Sequence, residues 1–193
     1  MDNYKEKYKF MRKFLLIFII VSVFYSCSSS ESEKLLSKIS DVSKVYSIED
    51  FSEFGLKIGE EYDSSDLPHA QSVYWGFWKD VEADEGSARF QSLGGSVGGM
   101  REFEIRFYDS HEDAVNHGIK YADDATGRNA VLTKQESLWP EGIRNRRTSG
   151  GPDGSPLPKF GDYVIFGNLI VFCEGMSSEE AIQNCSRFLK NLE

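Results

Sequence analysis

The sequence predicts an α+β fold, with a mostly antiparallel sheet of about five strands and helices packed on it. Three observations predict it. Phe103, Ile105 and Phe107 alternate with Glu102, Glu104 and Arg106, the period of a strand with one face in a core and the other in water. Residues 163–166 and 169–173 are short apolar runs joined by Gly167-Asn168, a tight-hairpin signature. Ile182, Cys185, Leu189 and Leu192 recur at helical spacing, and Phe188 widens their stripe.

The elements follow in chain order. Lys5, Lys7, Lys9, Arg12 and Lys13 precede an apolar run over residues 14–25. A membrane-spanning helix takes about 18 or more such residues, whereas a shorter run behind a basic leader has the length of a secretory signal. Residues 1–26 are therefore expected to be a signal peptide. Ser26-Cys27 comes next, then Ser28-Ser29-Ser30-Glu31-Ser32-Glu33. This arrangement resembles the bacterial lipoprotein class, although Phe24 and Tyr25 stand where that class has Leu and a small residue. The resemblance ends at Glu33. It implies lipid attachment at Cys27, a membrane partner through that anchor, and a cell-envelope location with the domain outside the cytoplasm.

Residues 27–46 are expected to be the lipid-attachment Cys followed by a polar tether or short helix, since Leu35, Ile39, Val42 and Tyr46 have helical spacing. Residues 47–193 are expected to form a single α+β domain. Ser47 and Asp50 make a capping-box pair ahead of Phe51 and Phe54, and Gly55 stops that helix. Residues 60–68 read as an acidic turn region. Residues 73–78 read as an aromatic strand that sends Trp75 and Trp78 to opposite faces. A charged loop over 80–86, a return strand over 88–93 and a Gly-rich turn lead to the alternating strand. Ser110 and Asp113 cap the next helix, Val115, Ile119 and Ala122 are its buried stripe, and Gly127 ends it. Residues 139–161 are Gly- and Pro-rich without periodicity, a loop of a length uncommon inside a compact domain. The hairpin beyond it is apolar on both faces and so belongs at the centre of the sheet. The last helix starts near Ser178.

Over 193 residues, Lys+Arg 22 against Asp+Glu 31 gives a charge of −9. A surface this acidic repels phosphate backbones and excludes nucleic acid as the main partner. With Cys27 lipidated, Cys173 and Cys185 remain, an even number in an oxidising compartment. A disulfide between them is expected. The alternative is two separate buried thiols.

Gly94-Gly95-Ser96-Val97-Gly98 matches G-x-S-x-G, with Asp109, His111 and His117 downstream, and makes a small serine hydrolase using Ser96 the alternative reading. That chemistry needs a strand-to-helix turn, and the alternating strand follows instead. His111-Glu112 lacks the second His that a zinc-protease motif requires at position 115, and His117 lies on another helix face. His69, beside Pro68, shows no partner in the sequence. The acidic loop over 80–86 misplaces both the Gly and the Glu of a calcium-binding EF-hand, so a solvated hairpin tip is expected. Trp139, Arg144, Arg146 and Arg147 are the candidate binding residues, because Arg offers planar forked donors to carboxylate, phosphate or sulfate. The sequence thus favours a non-enzymatic binding or interaction module presenting the 139–161 loop. An anionic ligand or an envelope protein is the implied partner, and no catalytic residue, cofactor or metal ligand is expected.

Overall fold

The computed structural model describes residues 35–81 and 99–192. Six strands form the main sheet: β1 (Ile39–Ser40), β2 (Lys57–Tyr62), β3 (Ala70–Lys79), β4 (Met100–Tyr108), β7 (Phe160–Phe166) and β8 (Leu169–Glu174). Their order is β1-β7-β8-β4-β3-β2. β1 pairs with β7 in parallel and every other pairing in this sheet is antiparallel, so the α+β sheet is mixed, with six described strands where about five are expected. β5 (Arg147–Ser149) and β6 (Pro156–Pro158) pair as a separate hairpin. The helices among the described residues are α1 (Ile48–Ser52), α2 (residues 111–125) and α3 (Ser178–Leu189), with single 3-10 turns at Pro152–Gly154 and Lys190–Leu192. Among the described residues no helix is long and apolar enough to cross a membrane.

The two-residue period of β8 explains the layering. Leu169, Val171 and Cys173 face a core shared with α1 and α3, and Ile170 and Phe172 face a second core against α2. Both faces are therefore dry, as the doubly apolar sequence requires. α1 inserts Phe51, which stacks on Phe188 of α3 at 5.5 Å. Phe103 of β4 stacks on the same Phe188 at 3.9 Å. Trp78 joins this cluster, whereas Trp75 turns to the opposite face beside Val73, as the strand period dictates.

The Gly167-Asn168 turn does more than reverse the chain. Gly167 adopts φ 56, in the left-handed region that glycine enters without a Cβ penalty. The buried Asn168 side chain accepts from the Tyr46 amide at 2.8 Å and donates to the carbonyls of Tyr46 and Tyr108 at 3.0 and 2.9 Å. The Tyr108 amide in turn donates to the Asn168 carbonyl at 2.9 Å.

Four expectations change. Residues 35–46 form no helix: Ile39–Ser40 adds to the free edge of β7, and the Leu36 amide donates to Ser186 Oγ of α3 at 2.8 Å. Backbone pairing at an open sheet edge outweighs a weak amphipathic period in a Ser- and Lys-rich stretch. The acidic turn region over 60–68 begins later than expected, since residues 60–62 belong to β2, paired along β3, and residues 63–68 make the turn. Asp80 is not in a solvated tip; it is buried and paired with Arg187 at 2.7 Å. Glu104 and Arg106, placed in water by the alternation, are fully buried. The 139–146 segment lies over that face, with Trp139 and Ile143 buried. The return strand expected over 88–93 lies outside the described residues.

A cleft beside the last helix

A cleft of about 690 Å³ opens where the end of α2, the β5–β6 hairpin, the start of β7 and the N-terminus of α3 converge. Local sequence fixes each wall. Thr126 closes α2 by donating its hydroxyl to the Ala122 carbonyl at 2.9 Å, and Gly127, at φ 77, turns the chain so that its amide reaches the Phe160 carbonyl at 2.9 Å. Gly161 occupies a bulge in β7, where a Cβ would lie 2.5 Å from the Ser177 carbonyl oxygen and 2.6 Å from that of Gly175. Backbone approach at the floor therefore requires glycine. Ser177 caps α3, its Oγ accepting from the Glu180 amide at 3.2 Å.

The charged groups of the cleft are Lys38, Arg128 and Lys159 against Asp123 and Asp162. Among the lining residues that is one positive charge in excess on a chain of −9. Lys159 is paired with Glu102 outside the lining and Lys38 with Asp162, which leaves Arg128 as the lining cation with no ion pair among the described residues. Asp162 is a junction: its Oδ1 lies 2.6 Å from Lys38 Nζ and accepts from the Tyr163 amide at 2.8 Å, and its Oδ2 accepts from Ser178 Oγ. Asp123 Oδ1 accepts from the Tyr163 hydroxyl at 2.8 Å. Burial, with the Asp123 carboxylate beside it, pushes the Tyr163 phenol above its ordinary value and keeps it a donor. Leu157, Pro158 and Met176 supply apolar wall. The arrangement suits an anion with an apolar portion.

The 139–161 segment is only partly the displayed loop the sequence suggests. Thr148, Leu157 and Pro158 of its hairpin form one cleft wall. Arg144 and Arg147 are exposed, Arg144 lying 3.6 Å from Glu60. Trp139 and Arg146 are each 1% exposed and are not surface binding residues. Arg146 reaches inward to Glu104, with Nε–Oε2 at 2.6 Å and Nη2–Oε1 at 3.0 Å, and its Nη1 donates to the Trp139 carbonyl at 3.1 Å. Arg106 donates through Nε to Glu104 Oε1 at 2.9 Å, while its Nη2 comes within 2.8 Å of the same oxygen without hydrogen-bond alignment. The Arg106 guanidinium stands 4.2 Å from the Phe172 ring centre and 5.0 Å from that of Trp139. Burial pulls Arg106 below its ordinary value, and Glu104 opposes that shift. One carboxylate between two guanidiniums, together with the buried Trp139 and Ile143, ties the loop down.

Cys173 and Cys185 are bonded, with Cα atoms 5.5 Å apart, joining β8 to α3. Cys27 and Ser96 lie outside the described residues. The strand after the glycine run is β4, so no helix follows the G-x-S-x-G match. His111 Nδ1 lies 2.9 Å from the Gly167 carbonyl oxygen, and His117 does not meet it. His117 instead stacks on His69, with ring centres 3.7 Å apart. The sequence offered no sign of this pairing, because it joins a loop to a helix far along the chain.

A family model matches residues 47–193, that of a family of unknown function designated DUF6810. The chain belongs to that family. No curated protein and no solved structure matches the chain. The DUF6810 match contains every cleft residue except Lys38, which β1 holds at the edge of β7.

Proposed function

We propose that this chain is an exported, lipid-anchored binding module of the cell envelope whose cleft takes a small anionic ligand with an apolar portion, without turnover. The cleft carries the reading: its cations outnumber its carboxylates on an otherwise acidic protein, and apolar side chains adjoin them. The basic leader, the apolar run and Cys27 support export and anchoring, and the bonded Cys173–Cys185 pair fits an oxidising compartment.

Two measurements test it. Decanoate titrated calorimetrically into the purified full chain should bind saturably, and decylamine should not. A Lys38→Ala, Arg128→Ala double variant should weaken decanoate binding about tenfold or more, because each lost charged contact is worth about 1.5–3 kcal/mol. Unchanged affinity in that variant removes the cleft from the reading. Metabolic labelling with an alkyne fatty acid should mark the chain and spare Cys27→Ser. Equal labelling of both, or of neither, removes the anchor.

A further inference from the structure

We propose that His69, Asp113 and His117 form a binding site for one divalent transition-metal ion of the zinc class, separate from the cleft. Their ligating atoms all lie within 4.8 Å of one another. Asp113 Oδ1 is 3.7 Å from His69 Nδ1 and 3.9 Å from His117 Nε2. Two imidazoles and a carboxylate are a donor set for borderline ions rather than for magnesium or calcium, which prefer all-oxygen shells. Tetrahedral zinc, with bonds of about 2.0–2.1 Å, spaces its donors about 3.3 Å apart. The two Asp113–His separations need to close by about half an ångström, together with a turn of one imidazole about its side-chain bonds.

The surroundings hold the carboxylate for this task. Asp113 Oδ2 accepts from Ser110 Oγ at 2.6 Å, and the Asp113 amide donates back to Ser110 Oγ at 3.1 Å. One carboxylate oxygen is thereby occupied and the other is aimed at both rings, the supporting arrangement that ligating carboxylates need. Asp113 and His117 are one turn apart on α2, so they share a face. His117 sits in a π-helical stretch, Ala114–Gly118, a widened turn common at functional sites. His69 comes from the other side, held at φ 61 in the left-handed region ahead of β3, after a turn anchored by the buried Leu67. Its ring stacks on that of His117, with centres 3.7 Å and planes 9° apart, so that binding one ion in the plane of both imidazoles requires one ring to turn out of the stack. The three side chains are 54%, 29% and 38% exposed, which leaves the remaining coordination positions open to water. Three protein ligands plus an open position is the pattern of a reactive or exchangeable metal site rather than a sealed structural one.

The test uses the untagged full chain and zinc chloride alone, by calorimetry, with circular dichroism and thermal melting as the folding control. One zinc per chain is expected. His117→Ala and Asp113→Asn should each weaken it about tenfold or more, and His111→Ala should leave it unchanged. His69→Gly suits the left-handed backbone and should lose zinc while keeping the melting temperature. Zinc uptake that survives a His69→Gly, His117→Ala double variant overturns the site, as does no uptake by the wild-type chain. Calcium or magnesium displacing zinc at equal concentration overturns the assigned metal class.

Discussion

Glu104 pairs with two arginines in the dry interior, and Asp162 pairs with one lysine at the edge of an open cleft. Glu104 and its two arginines are at most 1% exposed, whereas Lys38, the cation on Asp162, is 47% exposed. Water makes the difference. In the interior, each charge has lost its hydration and depends on the others, so the set behaves as part of the framework. At the cleft Asp162 is nearly buried and held by two further donors, but the Lys38 ammonium reaches water and can turn from that carboxylate to a ligand.

The largest effect expected from this contrast belongs to Glu104→Gln. It leaves two buried guanidiniums without a counter-charge and should cost about 3–5 kcal/mol in urea unfolding. A loss below about 2 kcal/mol would place Glu104 in the same class as Asp162 and break the comparison. Replacing Cys173 and Cys185 together by Ala should cost about 2–3 kcal/mol, because the bridge closes a short loop between β8 and α3. Reductant should remove the same stability from the wild type and none from the variant.

Glu174 lies between the two extremes. It is buried and accepts from the Glu102 amide at 2.9 Å, and burial raises it above its ordinary value of 4.5. A carboxyl raised on folding gives stability that is complete below the unfolded value and is lost as pH climbs through the folded one. Glu174→Gln does not titrate, so its melting temperature should gain on the wild type as pH rises from 4.5 to 7. A constant gap across that range would mean that Glu174 is already solvated. The smallest stability change is expected for Asp162→Asn, about 1–2 kcal/mol, since the amide keeps one acceptor oxygen where the carboxylate has two. Decanoate should nevertheless bind more tightly to it, since Lys38 is released from its internal partner. Weaker decanoate binding would make Asp162 a support for Lys38 rather than its competitor.

The framework was largely legible because its signals are local. The two-sided apolar hairpin fixed the central strands, capping residues at Ser47 and Ser110 marked two helix starts, the apolar stripe marked the last helix, and the cysteine count paired Cys173 with Cys185. The charged interior was not legible. Glu102, Glu104 and Arg106 have the alternation of a wetted face, and only the later Trp139–Arg146 stretch, folding over that face, makes it dry. The same segment therefore misled twice: its arginines looked like a surface patch, and one of them is an internal counter-ion. β1 escaped notice because a two-residue strand has no period of its own and exists only where β7 offers an edge. The cleft and the stacked histidines share that property, since each joins residues that the chain keeps far apart.

Asn168 gives the framework an unexpected economy. Through its side chain it holds the amide of Tyr46, and through its carbonyl that of Tyr108. Protons at these two positions, distant in the chain, should exchange with deuterated solvent in a single opening event. Loss of that one carboxamide would uncouple the segment before α1 from the sheet it leans on.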